Sequence, residues 1–230
     1  MKPLMIDLYA GLGGWAEGGM AVGFDVIGFD IERHQYGEAK YPAQLVLQDV
    51  LTLHGSQFKD AAMIVASPPC QEFSYMAMPW SKAKAKRAAI LADPAERKRL
   101  TALFDACFRI QREAIEAAGH FIPLVVENVR GACPWVGRSR WNFGSFHLWG
   151  DVPALMPMTK KCDGYLHARH VTNQAESDGV KQGGDWFNAE QPSISRLYGS
   201  KSTARKAASA AIAKIPFVLA RHIAASWKPI

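Results

Sequence analysis

The sequence predicts an α/β fold: a Rossmann-like, mainly parallel sheet with helices on both faces and a small loop-rich element appended. Three observations predict it. Short apolar runs alternate with amphipathic or turn-rich segments through the first half of the chain, a glycine-rich loop follows the first run directly, and periodicity fades after residue 150.

Leu4 to Leu8 reads as the first strand. Gly11, Gly13 and Gly14 follow it and open a helix, since glycine tolerates positive φ and close approach of a ligand to the backbone. Val26 to Phe29 is the second strand, Glu32 to Tyr41 a helix, and Leu45 to Leu47 a third strand. The fourth strand, Ala61 to Ala66, leads into Pro68-Pro69-Cys70-Gln71. A basic, methionine-rich segment comes next, read as a loop from Gln71 to Arg87. Pro94 to Ala118 repeats Leu100, Leu103, Phe104, Cys107, Ala114, Ile115 and Ala118 at helical spacing, which makes Cys107 a core residue. Leu124 to Val126 is the fifth strand, ending in Glu127-Asn128-Val129, and Phe146 to Trp149 is another. The expected organisation is a catalytic and cofactor-binding domain over 1–150, a small target-recognition element over 151–199, and a segment over 200–230 that returns to the first domain. Helical periodicity resumes from Lys201 to Trp227, with Pro216 suited to the first turn of a last helix.

A chain of 230 residues with 49% hydrophobic and 21% charged residues is long enough and apolar enough to build a core. The net charge of +6 favours a polyanionic partner. The densest basic cluster, Lys82, Lys84, Lys86 and Arg87, begins shortly after Cys70, and Lys201, Arg205 and Lys206 form a second group. The four cysteines, Cys70, Cys107, Cys133 and Cys162, make no Cys-x-x-Cys pair, so neither a disulfide framework nor a zinc ribbon is expected. Cys162 with His167 and His170 matches no common metal-ligand spacing. No signal segment or membrane-spanning stretch is read, and the expectation is an intracellular, cytoplasmic, monomeric protein without metal.

In an open α/β sheet, ligands bind at the carboxyl ends of the strands. Cys70 stands at such a mouth and is a candidate nucleophile, against the alternative of an inert packed thiol. Asp7 and Tyr9 beside the glycine loop suit a small cationic cofactor. Asp30 ends the second strand and can accept ribose hydroxyls, while Asp49 follows the third and can accept from an adenine amino group.

Taken in order, the loop Asp7-Leu8-Tyr9-Ala10-Gly11-Leu12-Gly13-Gly14, the Pro69-Cys70 pair and Glu127-Asn128-Val129 resemble the motifs of the cytosine-C5 DNA methyltransferases. The resemblance covers roughly residues 4–150 and resumes at Lys214-Ile215-Pro216-Phe217-Val218-Leu219-Ala220. It implies an S-adenosyl-L-methionine-dependent methyltransferase sheet, with S-adenosyl-L-homocysteine as product and double-stranded DNA as partner. It also implies a bacterial or phage-encoded enzyme of the restriction–modification kind. By resemblance Cys70 adds to carbon 6 of a flipped cytosine, Glu127 engages the base N3, and Asn128 positions the loops. Asp7, Tyr9, Ala10, Gly11, Leu12, Gly13, Gly14, Asp30, Ile31, Asp49, Val50 and Pro69 correspond to the cofactor pocket. Gln71, Ser74, Lys82, Lys84, Lys86, Arg87 and Arg138 are expected at the nucleic acid, and Met76, Met78 and Trp80 either fill the gap left by the base or pin the loop to the protein.

The pattern also departs from the family. Arg138-Ser139-Arg140 comes unusually soon after Glu127, so Arg140 is the candidate base contact, with Arg138 and Arg130 as alternatives. Ala208 to Ala213 stands where a Gly-Asn pair is usual, and only about fifty residues, Asp151 to Gly199 with Trp186 among them, are left for target recognition. Cytosine methylation in transfer RNA uses the same motifs and stays open as a rival. A catalytically silent binding module and a dinucleotide-dependent oxidoreductase explain Cys70 and Glu127 less well.

Overall fold

The structure is a computed structural model, and it describes residues 2–73, 80–156 and 202–229. Seven strands form one sheet: β1 (Leu4–Leu8), β2 (Asp25–Asp30), β5 (Gln44–Leu47), β6 (Ala61–Ala66), β7 (Leu124–Asn128), β8 (Trp141–Phe143) and β9 (Phe146–Gly150), in the spatial order β5-β2-β1-β6-β7-β9-β8. The five strands from β5 to β7 run parallel, and β9 pairs antiparallel with both β7 and β8. The chain travels outward from β1 through β2 to β5, then returns to β6 on the other side of β1. That reversal makes the β1–β6 junction the topological switch point, the place where open α/β sheets take ligands at their strand ends.

Both faces are covered. Helix α1 (Gly14–Ala21) packs with the last helix, α6 (Phe217–Trp227), over Met5, Val26, Met63, Val65, Val125 and Leu148. Helix α3 (Pro94–Ala118) covers Ile6, Leu8, Ile64, Ala66, Leu124 and Val126 on the other face with Leu100, Phe104, Cys107, Ile110 and Ala114. Asp93 caps α3 by accepting from the Ala95 amide, Pro94 begins its first turn, and Gly119 ends it at φ +71°. Cys107 is fully buried, as its helical register predicts, and burial pushes its thiol pKa up.

Two glycines of the first loop answer specific needs. Gly13 sits at φ +76°, and a Cβ there would collide with the Pro42 ring; Gly14 lies against the Ile215 backbone, with 2.5 Å between a hypothetical Cβ and the Ile215 nitrogen. The glycine loop therefore serves the approach of α6 as well as any ligand.

Several expectations are corrected. Glu32 to Tyr41 is no helix but a small hairpin of β3 (Gln35–Tyr36) and β4 (Ala39–Lys40), because Gly37 at φ +60° turns the chain in two residues. The basic segment after Cys70 is not a loop throughout: α2 (Trp80–Ala92) is helical and buries Ala83 and Ile90, an alanine-rich stretch of good propensity whose pattern was masked by its lysines. A short helix α4 (Cys133–Val136) and strand β8 were not anticipated. The C-terminal segment is two helices, α5 (Thr203–Ala213) and α6, broken at Lys214–Pro216, with Pro216 just before the first turn. The target-recognition element falls mostly outside the described residues, as do Ser74, Met76, Met78, Cys162, His167, His170, Trp186 and Lys201.

Among the described residues no single helix is long and apolar enough to cross a membrane, although α5 and α6, bent by 45°, pass such a test together. No group of three His, Cys, Asp or Glu among them is placed to hold a metal ion.

Candidate active site

The mouth of the sheet is built from the loops after β1, β6 and β7. The loop after β1 is held by backbone hydrogen bonds, the Ala10 amide to the Phe29 carbonyl and the Gly13 amide to the Ala10 carbonyl. Tyr9 adopts φ +61°, a left-handed conformation that costs a bulky residue on the order of 1 kcal/mol or more. Its hydroxyl donates to the Leu103 carbonyl of α3 at 2.8 Å, and burial raises its pKa.

Asp7 and Asp30 flank the glycine loop in two different electrostatic states. Asp7 is 1% exposed; one carboxylate oxygen accepts from the Tyr41 hydroxyl at 3.1 Å, and the other is buried without a partner. Burial pushes the Asp7 pKa well above the usual carboxylate range. Asp30 accepts from the Gly11 amide at 2.9 Å and the Glu32 amide at 3.3 Å, with His34 3.7 Å away. Its burial opposes ionisation, yet the adjacent His34 and the hydrogen bonds from the two amides outweigh that and lower its pKa; reciprocally, the Asp30 carboxylate raises the pKa of His34. Ile31 beside it is 73% exposed, whereas Ala10, Leu12 and Val50 are buried. Asp49 accepts from the Leu51 amide at 2.9 Å and so caps its own turn.

The cysteine loop leaves β6 as the Ser67 amide bonds to the Leu8 carbonyl, and the Ser67 hydroxyl accepts from the Trp15 indole at 2.9 Å. From β7, the Asn128 side-chain amide donates to the Pro68 carbonyl at 2.8 Å, while its oxygen accepts from the Val129 amide. Asn128 is fully buried and Glu127 is 3% exposed. Cys70 is half-buried, Pro69 and Gln71 are exposed, and the Phe73 amide closes a turn onto the Cys70 carbonyl at 3.0 Å. The structure thus brings the candidate thiol and acid loops together at the switch point, beside the glycine loop.

The arginines do not join them. Arg140 immediately precedes β8, its amide bonded to the Leu148 carbonyl; Trp141 is level with Leu148 and Glu127, so the Arg140 backbone lies one residue below, away from the carboxyl ends of the parallel strands. Its side chain is exposed and borders a hollow of about 330 Å³ with Trp141, Val152 and Met156. Arg138 and Arg130 are exposed in the connections before β8. Lys84 and Arg87 are exposed on α2, but Lys86 is committed to Glu72 at 2.7 Å, and nothing is described for the Lys82 side chain.

Sequence reading passed over Tyr41, Trp15, Ser67, His34 and Glu72. Each is an ordinary polar or aromatic residue whose role comes from a partner distant in the chain; only Gly28, whose missing side chain makes room for the Tyr41 ring, carries a local signal.

Residues 4–95 match the family model of the C-5 cytosine-specific DNA methylases. That segment resembles the family and includes the glycine loop and Cys70, but ends before Glu127. S-adenosyl-L-methionine is the cofactor of C-5 cytosine methyltransferases. The site's chemistry fits that cation: an orphaned, buried Asp7 oxygen, an ionised Asp30 at the end of β2, and an apolar rim at Ile31. No curated protein matches the sequence. Solved structures similar to the chain include a DNA modification methyltransferase encoded within an E. coli prophage (23% identity, 57% of this chain, TM-score 0.37). They include also the Entamoeba histolytica methyltransferase EhMeth (17%, 59%, 0.37) and the S. pombe Dnmt2 methyltransferase (16%, 59%, 0.37). The chain spans 33%, 41% and 37% of the lengths of those three proteins.

Proposed function

We propose that this methylase-like chain methylates carbon 5 of cytosine in double-stranded DNA, with Cys70 as nucleophile and Glu127 as acid. The observation that carries the proposal is the buried Asn128, which ties the Glu127 strand end to the Pro68 carbonyl two residues before Cys70. An inert cysteine needs no such brace.

Carbon 5 of cytosine is a poor nucleophile, and covalent addition changes that. The Cys70 thiolate forms a bond to carbon 6 while Glu127 holds a proton at the base N3, so that electron density collects at carbon 5. S-adenosyl-L-methionine, when bound, supplies an electrophilic methyl group on a cationic sulfur for that carbon to accept. Loss of the carbon 5 proton then expels Cys70 and restores the aromatic ring. The target base must leave the stack for this, at a cost of a few kcal/mol. Asp7, Tyr9, Gly11, Asp30 and Ile31 hold the cofactor, with Asp30 accepting ribose hydroxyls on its remaining lone pairs. Gln71, Lys84 and Arg87 are the described residues proposed at the nucleic acid, where cations make affinity fall with salt. No arginine is assigned to the base.

Incubation with methyl-labelled cofactor and either duplex DNA or RNA tests the substrate, and bisulfite sequencing of DNA from expressing cells reports the modified base and its context together. Label in DNA that is lost in Cys70→Ser, with cofactor binding retained, is the expected result. Label in RNA alone overturns the DNA assignment, and full transfer by Cys70→Ser overturns the mechanism.

A further inference from the structure

Two residues beyond the thiol, Glu72 reaches across to both helices of the α2–α3 hairpin. One carboxylate oxygen lies 2.7 Å from the Lys86 ammonium of α2, and the other lies 3.7 Å from the Arg99 guanidinium of α3. The Lys86 ammonium also donates to the Glu72 backbone carbonyl at 3.4 Å. Arg99 is itself fixed in a two-pronged pair with Glu96, at 2.7 and 2.8 Å. The next residue, Phe73, is 2% exposed and belongs to the same core cluster as Ile90 of α2 and Leu100 and Phe104 of α3. Its amide is the donor that closes the turn on the Cys70 carbonyl.

The turn 70–73 therefore has two anchors of different kinds. Phe73 fixes how deeply it sits, but an aromatic side chain in a core does little to fix the roll of the backbone ahead of it. The ionic anchor supplies direction, since Lys86 grips both the side chain and the carbonyl of Glu72. We propose that Glu72 is a positioning residue for Cys70, holding the cysteine turn against the α2–α3 hairpin through Lys86 and Arg99.

Such half-exposed ion pairs contribute little to global stability. Their effect here is local, on which way the thiol points and how much of it solvent reaches. The latch also withdraws Lys86 from the cations available to phosphate, so the basic helix is tied to the loop that carries the nucleophile. The consequence for catalysis rests on Cys70 being the nucleophile; the latch itself does not.

The test reads the thiol directly, by the rate of Cys70 alkylation with iodoacetamide followed by peptide mass spectrometry, alongside methyl transfer. Glu72→Gln and Lys86→Met should each speed alkylation about threefold or more. The double variant should be no faster than either single one, and Lys86→Arg should restore the original rate. Thermal unfolding of each variant identifies any that fails to fold, in which case the other single variant carries the comparison. Rates within about 1.5-fold of the parent in both single variants, or effects that simply multiply in the double variant, overturn the latch. Altered alkylation in a protein that methylates nothing would leave the latch standing and remove the proposed activity instead.

Discussion

The Asn128 side-chain amide and the Pro68 carbonyl, sixty residues apart in sequence, are joined by a buried 2.8 Å hydrogen bond that links the end of β7 to the loop after β6. Removing the donor leaves a buried carbonyl unsatisfied. Asn128→Ala should cost about 2 kcal/mol, or roughly 4–8 °C in Tm for a chain of this size. Methyl transfer should fall well beyond that loss of stability, with cofactor affinity little changed, as measured by calorimetric titration alongside a thermal melt.

Asp7 presents the opposite balance. Its folded pKa is raised, so between the ordinary carboxylate value and that raised value the folded state holds more protons than the unfolded one, and stability falls as pH rises through the window. Asp7→Asn should flatten this slope and stabilise the ligand-free protein at neutral pH by about 1 kcal/mol. It should also weaken binding of S-adenosyl-L-methionine. Melts from pH 4 to 8 with and without cofactor check both effects.

The Asp30–His34 pair titrates from both sides. Asp30 is lowered, so its contribution is present above the unfolded pKa and is lost as pH falls through the folded one; His34 is raised, so its contribution is complete below the unfolded pKa and is lost as pH rises through the folded one. Glu32, Tyr36 and Lys206 also bear on this histidine, through an ion pair at 3.8 Å, a ring contact and charge repulsion. His34→Gln should remove the fall in stability on the alkaline side of the histidine range and shrink the fall on the acid side, where only the Gly11 and Glu32 amides still lower the Asp30 pKa. A Tm-against-pH profile reads this.

Gly14→Ala should separate α1 from α6, because the added carbon has no space beside the Ile215 backbone. The expected loss is about 1–3 kcal/mol. A denaturant titration gives it, and Gly37→Ala, where the side chain meets open space but φ is positive, separates strain from collision.

Much of the parallel sheet could be read from the apolar runs at Leu4, Val26, Ala61 and Leu124, since strands buried on both faces carry their own signal. The same reading missed the hairpin at Gln35–Lys40, where polar residues and one glycine decide the conformation without any apolar pattern. It missed α2 because lysines dominate a segment whose helix is held by only a few buried side chains. At the candidate site, Cys70, Glu127 and Asn128 stood out in the sequence through their resemblance to a family's ordered motifs, and the Asn128–Pro68 hydrogen bond places their loops side by side. Tyr41 and Glu72 were not, because their partners, Asp7 and Lys86, are set by tertiary packing. Arg140 was proposed from the family's Arg-x-Arg element, and strand pairing places its backbone one residue below the level of Glu127.

The contact of Gly14 with Ile215 has a bearing on how the protein is made. Residue 14 leaves the ribosome some two hundred residues before its packing partner, and in the interval Met5, Met63, Val65 and Val125 lie on a sheet face that α6 has yet to cover. The face covered by α3 can form early, whereas the face beneath α1 stays incomplete until nearly the whole described chain has been synthesised. Nascent chains arrested before residue 215 should therefore be far more susceptible to protease and chaperone capture than released ones, although every strand of the sheet is already present.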